Sequence, residues 1–351
     1  MKQYLDLLSN IINNGVEKES GRANMPNTIG ISHAVIQMDM KDGFPLLTTK
    51  KMHWKGIVHE LLWFLRGETN IKYLVENNCN IWNSDAFRWY IDIYVTKWGA
   101  PKLTIEEFIE KVKAGAVFLY TPISGVYYID TYTYGDLGKV YGYQWRKQNG
   151  VDQVKDVIDG LRDNPYSRYH IIDNWNKADF KEMASPPCHL LYQFIVRPLT
   201  IEERIDYHFN VLQGEIYLTN DDDEEIMYLN AAGVPKFYLD LNMYQRSVDS
   251  ALGAPFNLAS MSLLLMMFAK ASNMIAGVST WIGGDTHIYL NQIDGVKEQL
   301  KRVPYKLPQM VINKELNSLE DILLLTIGDF ELIDYVSHPT IKFELSVGLK
   351  K

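Results

Sequence analysis

Ser185-Pro186-Pro187-Cys188-His189-Leu190-Leu191-Tyr192-Gln193-Phe194 joins a stiff turn to an apolar run. The two prolines lack N–H donors and fix the local backbone. The run after His189 reads as a β-strand. A thiol held at a rigid turn into a sheet is a candidate nucleophile. Taken alone, Cys188 also suits the small buried hydrophobe that most lone cysteines are.

Composition narrows the surroundings of that turn. The chain has 351 residues, 47% hydrophobic and 22% charged, which describes an ordinary globular protein with ample material for a core. Its formal charge of −8 argues against a general attraction to nucleic acid or to an anionic membrane. A local arginine cluster can still hold a small anion. Met1 to Asp6 carries no signal-peptide pattern, and two cysteines make no disulfide framework, so a cytoplasmic location is expected. The most apolar stretch, Leu258 to Ala269, is short for a bilayer and meets Lys270, so it reads as a buried helix.

Working towards the N-terminus, Tyr4, Leu7, Leu8, Ile11 and Ile12 repeat at helical spacing. Ile29 to Met40 has strand character, closed by the Asp42-Gly43 turn. A helix is expected from about Trp54 to Leu65, stopped near Gly67. Glu60 sits inside it among Ile57, Leu61, Leu62, Phe64 and Leu65. Such a carboxylate is either turned to solvent or buried, and a buried one has a raised pKa suited to proton relay. Val151 to Leu161 is a further helix, ending before Asn164-Pro165.

Towards the C-terminus, Phe237 to Gln245 alternates like a strand, and Asp221 to Glu225 reads as a solvated acidic loop. That loop lacks the alternating oxygen ligands of a calcium site, and no metal is expected. Ala254-Pro255-Phe256-Asn257 opens the apolar helix, where Asn257 suits an N-cap. His287 and Tyr289 share one face if extended. There is no internal repeat and no linker-like composition.

Several longer motifs stand in a telling order: Phe44-Pro45-Leu46, His59-Glu60-Leu61-Leu62-Trp63-Phe64-Leu65, Pro187-Cys188-His189, Tyr244-Gln245-Arg246-Ser247, Leu252-Gly253-Ala254-Pro255-Phe256-Asn257 and Gly284-Asp285-Thr286-His287-Ile288-Tyr289. Together they resemble the thymidylate synthase family over nearly the whole chain. The resemblance implies an α/β fold, a layered mixed sheet with flanking helices, whose sheets pack back to back in a homodimer. It implies one catalytic domain over 1–351, with insertions at about 87–134 and 197–236.

The reaction so implied transfers a one-carbon unit from 5,10-methylenetetrahydrofolate to C5 of dUMP. Uracil is a poor carbon nucleophile until a thiolate adds at C6, and by resemblance Cys188 is that thiolate. Arg246 would lower the thiol pKa and, with Ser247 and Arg22, hold the phosphate through guanidinium forks. Arg168 would reach the partner subunit's phosphate. Asn257 would read uracil, since an amide offers both donor and acceptor; an aspartate would suit cytosine, as in the related dCMP hydroxymethylases. His287 and Tyr289 would bind the ribose 3′-hydroxyl. Glu60, Tyr141 and His189 would manage protons. Asp249 would hold the pterin, with Ile81, Trp82, Leu252, Gly253, Phe256 and Val347 around the folate. Lys50 and Lys51 fit the folate's acidic tail or a solvated surface equally, and Cys79 reads as structural.

Three departures from the family pattern bear on the product. Tyr169 follows Arg168 where a second arginine is usual. Asn83-Ser84-Asp85 follows Trp82 where Asp-Glu-Trp is usual, so an aromatic wall is missing. Gly348-Leu349-Lys350-Lys351 extends the apolar tail that otherwise closes on valine. A looser pocket would favour water addition, giving 5-hydroxymethyl-dUMP and tetrahydrofolate. Retained Trp82, Asp249 and Val347 favour hydride transfer, giving dTMP and dihydrofolate, which is the expected outcome.

Overall fold

The structure is a computed structural model that describes residues 1–21, 25–120, 130–214 and 221–343. Helix α1 (Lys2–Asn14) buries Tyr4, Leu7, Leu8 and Ile11 along one stripe, as the spacing requires. The expected single strand over Ile29–Met40 is two: β1 (Val16–Lys18) leads to β2 (Thr28–Ile31) and β3 (Ala34–Asp39), and a 3₁₀ turn takes Met40. Helix α2 (Trp54–Leu65) is buried from Gly56 to Leu65, so it lies at the centre of the molecule.

The stretch over 87–134 is largely regular. It contains the end of α4 (Asn83–Trp89), which follows α3 (Lys72–Glu76), then a π-helical turn, α5 (Thr96–Trp98), α6 (Ile105–Lys113) and the hairpin of β4 (Val117–Tyr120) with β5 (Asp130–Thr133). Tyr90, Phe108, Tyr132 and Tyr134 interlock there, with ring centroids 5.2–6.0 Å apart. Then come α7 (Tyr141–Lys147), α8 (Gln153–Asp163), β6 (Ile171–Asp173) and β7 (His189–Pro198).

The second stretch holds α9 (Ile201–Asn210) and α10 (Asp222–Ala231). The acidic run is therefore a helix start and not a loop. Asp221 caps it by accepting from the Asp223 and Glu224 N–H groups, and the carboxylates that follow complement the positive end of the helix dipole.

Strand β8 (Phe237–Asp249), helix α11 (Gly253–Ala271) and strand β9 (Ile275–Tyr289) complete the core; α12 (Ile293–Leu300), β10 (Gln309–Ile312), α13 (Leu319–Leu323) and β11 (Phe330–Ile333) follow. The main sheet runs β1-β2-β9-β8-β7-β6, with β3 also on β9; β8 and β9 are parallel and the other pairs antiparallel. Strand β9 is long enough to pair β3 along its first half and β2 along its last turn.

Helix α11 is the one described helix long and apolar enough to cross a membrane, but 72% of that window is buried inside the protein, so it is a core helix. It packs on β8 and β9, with Phe268 stacked on Phe194 at 4.8 Å and Ser262 bonded to Ser279 at 2.8 Å. Among the described residues the opposite sheet face carries no such helix. Register places Val35, Ile282, Tyr244 and Leu191 in one row across β3, β9, β8 and β7 on that face. Val35 is 61% exposed and Tyr244 41%, with Leu191 and Ile282 half-buried, so among the described residues this row is left partly uncovered.

Candidate active site

Three strand ends converge. Cys188 immediately precedes β7, Arg246, Ser247 and Asp249 end β8, and His287 and Tyr289 end β9. The pairing sets Ser247 beside Asp285 and Asp249 beside His287, so the carboxyl ends of the parallel pair form one rim, the usual ligand edge of such sheets. Gly284 permits this approach, since a Cβ there would lie 2.8 Å from the Arg246 carbonyl oxygen.

Half-buried Cys188 is held from two sides. Its backbone N–H donates to the Tyr141 hydroxyl at 2.6 Å, and its carbonyl accepts from the Arg246 N–H at 2.9 Å. The Arg246 guanidinium donates to the carbonyls of Pro187 (2.8 Å) and Pro186 (2.9 Å), and lies over Trp175 at 5.7 Å. A fixed cation thus grips the turn that presents the thiol.

Glu60 is buried, not solvated. Its Oε1 accepts from the Trp82 indole N–H at 2.8 Å, and burial pushes its carboxyl up to about 7, with that bond opposing. Trp82 packs on Tyr141 (5.9 Å), and Tyr141 on His189 (5.2 Å), so α2, α4's approach, α7 and β7 make one continuous wall. Burial lifts the Tyr141 phenol well above its usual range, the neighbouring Cys188 adding to this. Burial drives His189 down to about 4, opposed by a hydrogen bond to Asn257, so the ring is neutral at physiological pH.

Asn257 lies in the second turn of α11, whose N-cap is Leu252, so it is not the cap. Its orientation follows from a chain of donors. The Trp281 indole can only donate, and it gives its proton to Gln245 Oε1 at 2.8 Å. Gln245 must then donate through Nε2, and does so to Asn257 Oδ1 at 3.0 Å. The Asn257 amide nitrogen is left facing the other way. Gln245 and Trp281 were not singled out from the sequence; their strand spacing gives no hint of a link into α11.

Asp249 Oδ1 accepts from the N–H groups of Ala251 and Leu252, each at 3.0 Å, and Oδ2 from Gln292 at 2.7 Å. This fixes an ionisable carboxylate beside half-buried Leu252, Gly253 and Phe256. Ile81 and Trp82 are half-buried too, leaving apolar surface for a flat ligand. Gln292 is a further residue the sequence did not reveal. Arg168 is exposed. Arg22 and Val347 lie outside the described residues.

Lys50 is not a solvated lysine. It is 4% exposed, donates to the Ala251 carbonyl at 2.5 Å and lies over Phe343 at 4.7 Å. Burial lowers its pKa to about 8, with Asp249 opposing. Since the folded pKa is depressed, its cost to stability is full below about 8 and disappears as pH rises towards the unfolded value near 10.5. Lys50→Met should raise stability at pH 7 by up to about 3 kcal/mol, less the lost Ala251 bond, and the gain should vanish by pH 10.5. Urea unfolding at both pH values measures this. Cys79 is buried near the Gly56 carbonyl (3.6 Å), and burial pushes its thiol up to about 12, so it is a structural residue.

Clefts of about 430 Å³ (Glu68, Lys72, Asp136) and 350 Å³ (Arg162, Lys236, Asn273) lie elsewhere and contain none of these residues. Among the described residues no group of three or more His, Cys, Asp or Glu is placed to hold a metal.

The thymidylate synthase family model matches residues 2–347. The chain is 39% identical over 347 residues to a thymidylate synthase of Mycoplasma mobile, covering 99% of this chain and all of that protein. It is 40% identical over 349 residues to one of Malacoplasma penetrans and 39% identical over 349 residues to one of Mycoplasma pneumoniae, again with 99% of this chain and all of each relative covered. A match of this length, through the strand ends that gather Cys188, Arg246, Asn257 and His287, makes the chain a member of the thymidylate synthase family and an enzyme of its methyltransferase type.

Proposed function

We propose that the enzyme methylates C5 of dUMP with 5,10-methylenetetrahydrofolate, giving dTMP and dihydrofolate. The observation that carries this reading is the Cys188 turn, gripped by Tyr141 and Arg246 beside the buried Glu60. The thiolate adds to C6, and the electron pair moves to C5 as an enolate. C5 then takes the one-carbon unit and loses its proton, and the folate nitrogen leaves to give a C5 methylene. Hydride from the tetrahydrofolate reduces that methylene to methyl as the Cys188 thiolate leaves C6, so that the folate ends as dihydrofolate. Glu60 is matched to proton transfer near neutral pH, and the Tyr141 hydroxyl, which accepts from Cys188 N–H, keeps its own proton to give.

Asn257 presents its amide N–H groups to O4 of uracil. Arg246, Ser247 and Arg22 take the phosphate, and His287 and Tyr289 the ribose. Asp249 holds the donor edge of the pterin, with Ile81, Trp82, Leu252, Gly253, Phe256 and Val347 along the folate. The row Val35, Ile282, Tyr244 and Leu191 supports a back-to-back homodimer in which Arg168 serves the partner subunit's phosphate site. The chain acts as one catalytic domain, the segments 87–134 and 197–236 being insertions, in the reducing cytoplasm that two free cysteines suit. The hydroxymethylase alternative is not supported over this reading: the relatives named above are all thymidylate synthases by name.

Incubation with dUMP and methylenetetrahydrofolate tests the reading. The expected products are a nucleotide heavier by one methylene and dihydrofolate by its absorbance. A hydroxymethylated nucleotide with tetrahydrofolate would overturn it.

A further inference from the structure

His287 Nδ1 has two neighbours, the Asp285 backbone oxygen and Asp285 Oδ1, both at 3.3 Å. Both can only accept while the carboxyl is ionised, so Nδ1 carries a proton, and in the tautomer with that single proton Nε2 is an acceptor. The same Asp285 Oδ1 is held by Lys18 Nζ at 2.7 Å. These contacts, with Lys18 and His287 contributing, hold the Asp285 carboxyl below its usual range although burial opposes. The Asp285 side chain is 41% exposed, so without Lys18 it is free to swing into water. His287 is otherwise tightly placed: it is 8% exposed, and a Cβ at Gly30 would lie 3.0 Å from its own. The backbone oxygen of Asp285 already asks for a proton on Nδ1, and what depends on Lys18 is the second, charged acceptor there.

We infer that Lys18 is a positioning residue for the nucleotide's ribose: it holds the Asp285 carboxylate on the Nδ1 side of His287 beside the backbone oxygen, and this added charged acceptor steadies the ring and makes Nε2 a stronger acceptor for the 3′-hydroxyl. This rests on the reading of His287 as a ribose ligand. Lys18 ends β1, four residues before Arg22, so a plain electrostatic effect on the phosphate is the competing role to separate.

Calorimetric binding of dUMP and of its 3′-deoxy analogue, 2′,3′-dideoxyuridine monophosphate, separates them. Wild type should prefer dUMP. Lys18→Ala should weaken dUMP roughly three- to fivefold, the range for a half-exposed ion pair, and leave the analogue unchanged. Lys18→Arg should restore the preference. Asp285→Asn should lose as much as Lys18→Ala, and the double variant no more than either, because the two act as one unit. Equal weakening of both nucleotides in Lys18→Ala, or none, would overturn the inference while leaving the site reading intact. A wild type that binds dUMP without preferring it to the analogue would overturn the ribose role of His287 and this inference with it; a wild type that does not bind dUMP would overturn the proposed function itself.

Discussion

Cys188→Ser should cut turnover by about 10³-fold or more while leaving dUMP binding within a few-fold of wild type. The side chain has the same shape, so the turn is preserved: its backbone contacts to Tyr141 and Arg246 do not involve the sulfur. Arg246 remains on the Pro186 and Pro187 carbonyls, and Asn257 remains oriented by Gln245. The nucleotide's recognition groups are therefore untouched. What is lost is the sulfur nucleophile that attacks C6. Steady-state turnover and equilibrium dUMP binding on the same preparation measure both halves. Turnover within tenfold of wild type would show that chemistry does not start at residue 188.

Glu60→Gln should lower kcat by about 10²- to 10⁴-fold and at the same time stabilise the protein above neutral pH. The amide retains the oxygen that accepts from Trp82, so the wall from Trp82 to Tyr141 stays in place. The proton is what it cannot exchange. The stability effect follows from the sign of the pKa shift. The folded carboxyl titrates at about 7 against a reference of 4.5, so the folded state binds more protons between these values. Its contribution is fully present below about 4.5 and is lost as pH rises through 7, a swing of about 3 kcal/mol. His189, driven down to about 4, acts in the opposite sense below pH 6.5, but it is common to both proteins and cancels in their difference. Urea unfolding at pH 5 and pH 8 should thus show the variant gaining on wild type at the higher pH. A pH-independent difference would mean that Glu60 is ionised in the fold. The residue is an instance of function placed against stability.

Where one periodic signal dominates, the sequence and the structure coincide. Helix α2, the apolar helix α11 and the strand after Cys188 were legible because burial imposes a stripe or an unbroken apolar run. The motifs carried the catalytic set. What stayed hidden depends on distant neighbours. The parallel pairing of β8 with β9 creates the rim, and no local pattern encodes it. Gln245 orients Asn257 across 12 residues of sequence, Trp281 orients Gln245 across 36, and Gln292 reaches Asp249 across 43. Lys50 fits the folate's tail or a solvated surface equally from its sequence; Ala251, Phe343 and Asp249, all far along the chain, make its burial tolerable. The acidic run at Asp221 reads as a loop on charge alone; the capping position of its first residue is what makes it a helix start.

The most direct test of covalent catalysis by Cys188 is the intact mass of the protein after incubation with 5-fluoro-dUMP and methylenetetrahydrofolate. Fluorine at C5 cannot leave as a proton does, so the adduct should accumulate, adding the mass of nucleotide plus folate to the wild-type chain and nothing to Cys188→Ser. An unmodified wild-type mass, or an adduct that persists in the Cys188 variant, would contradict it.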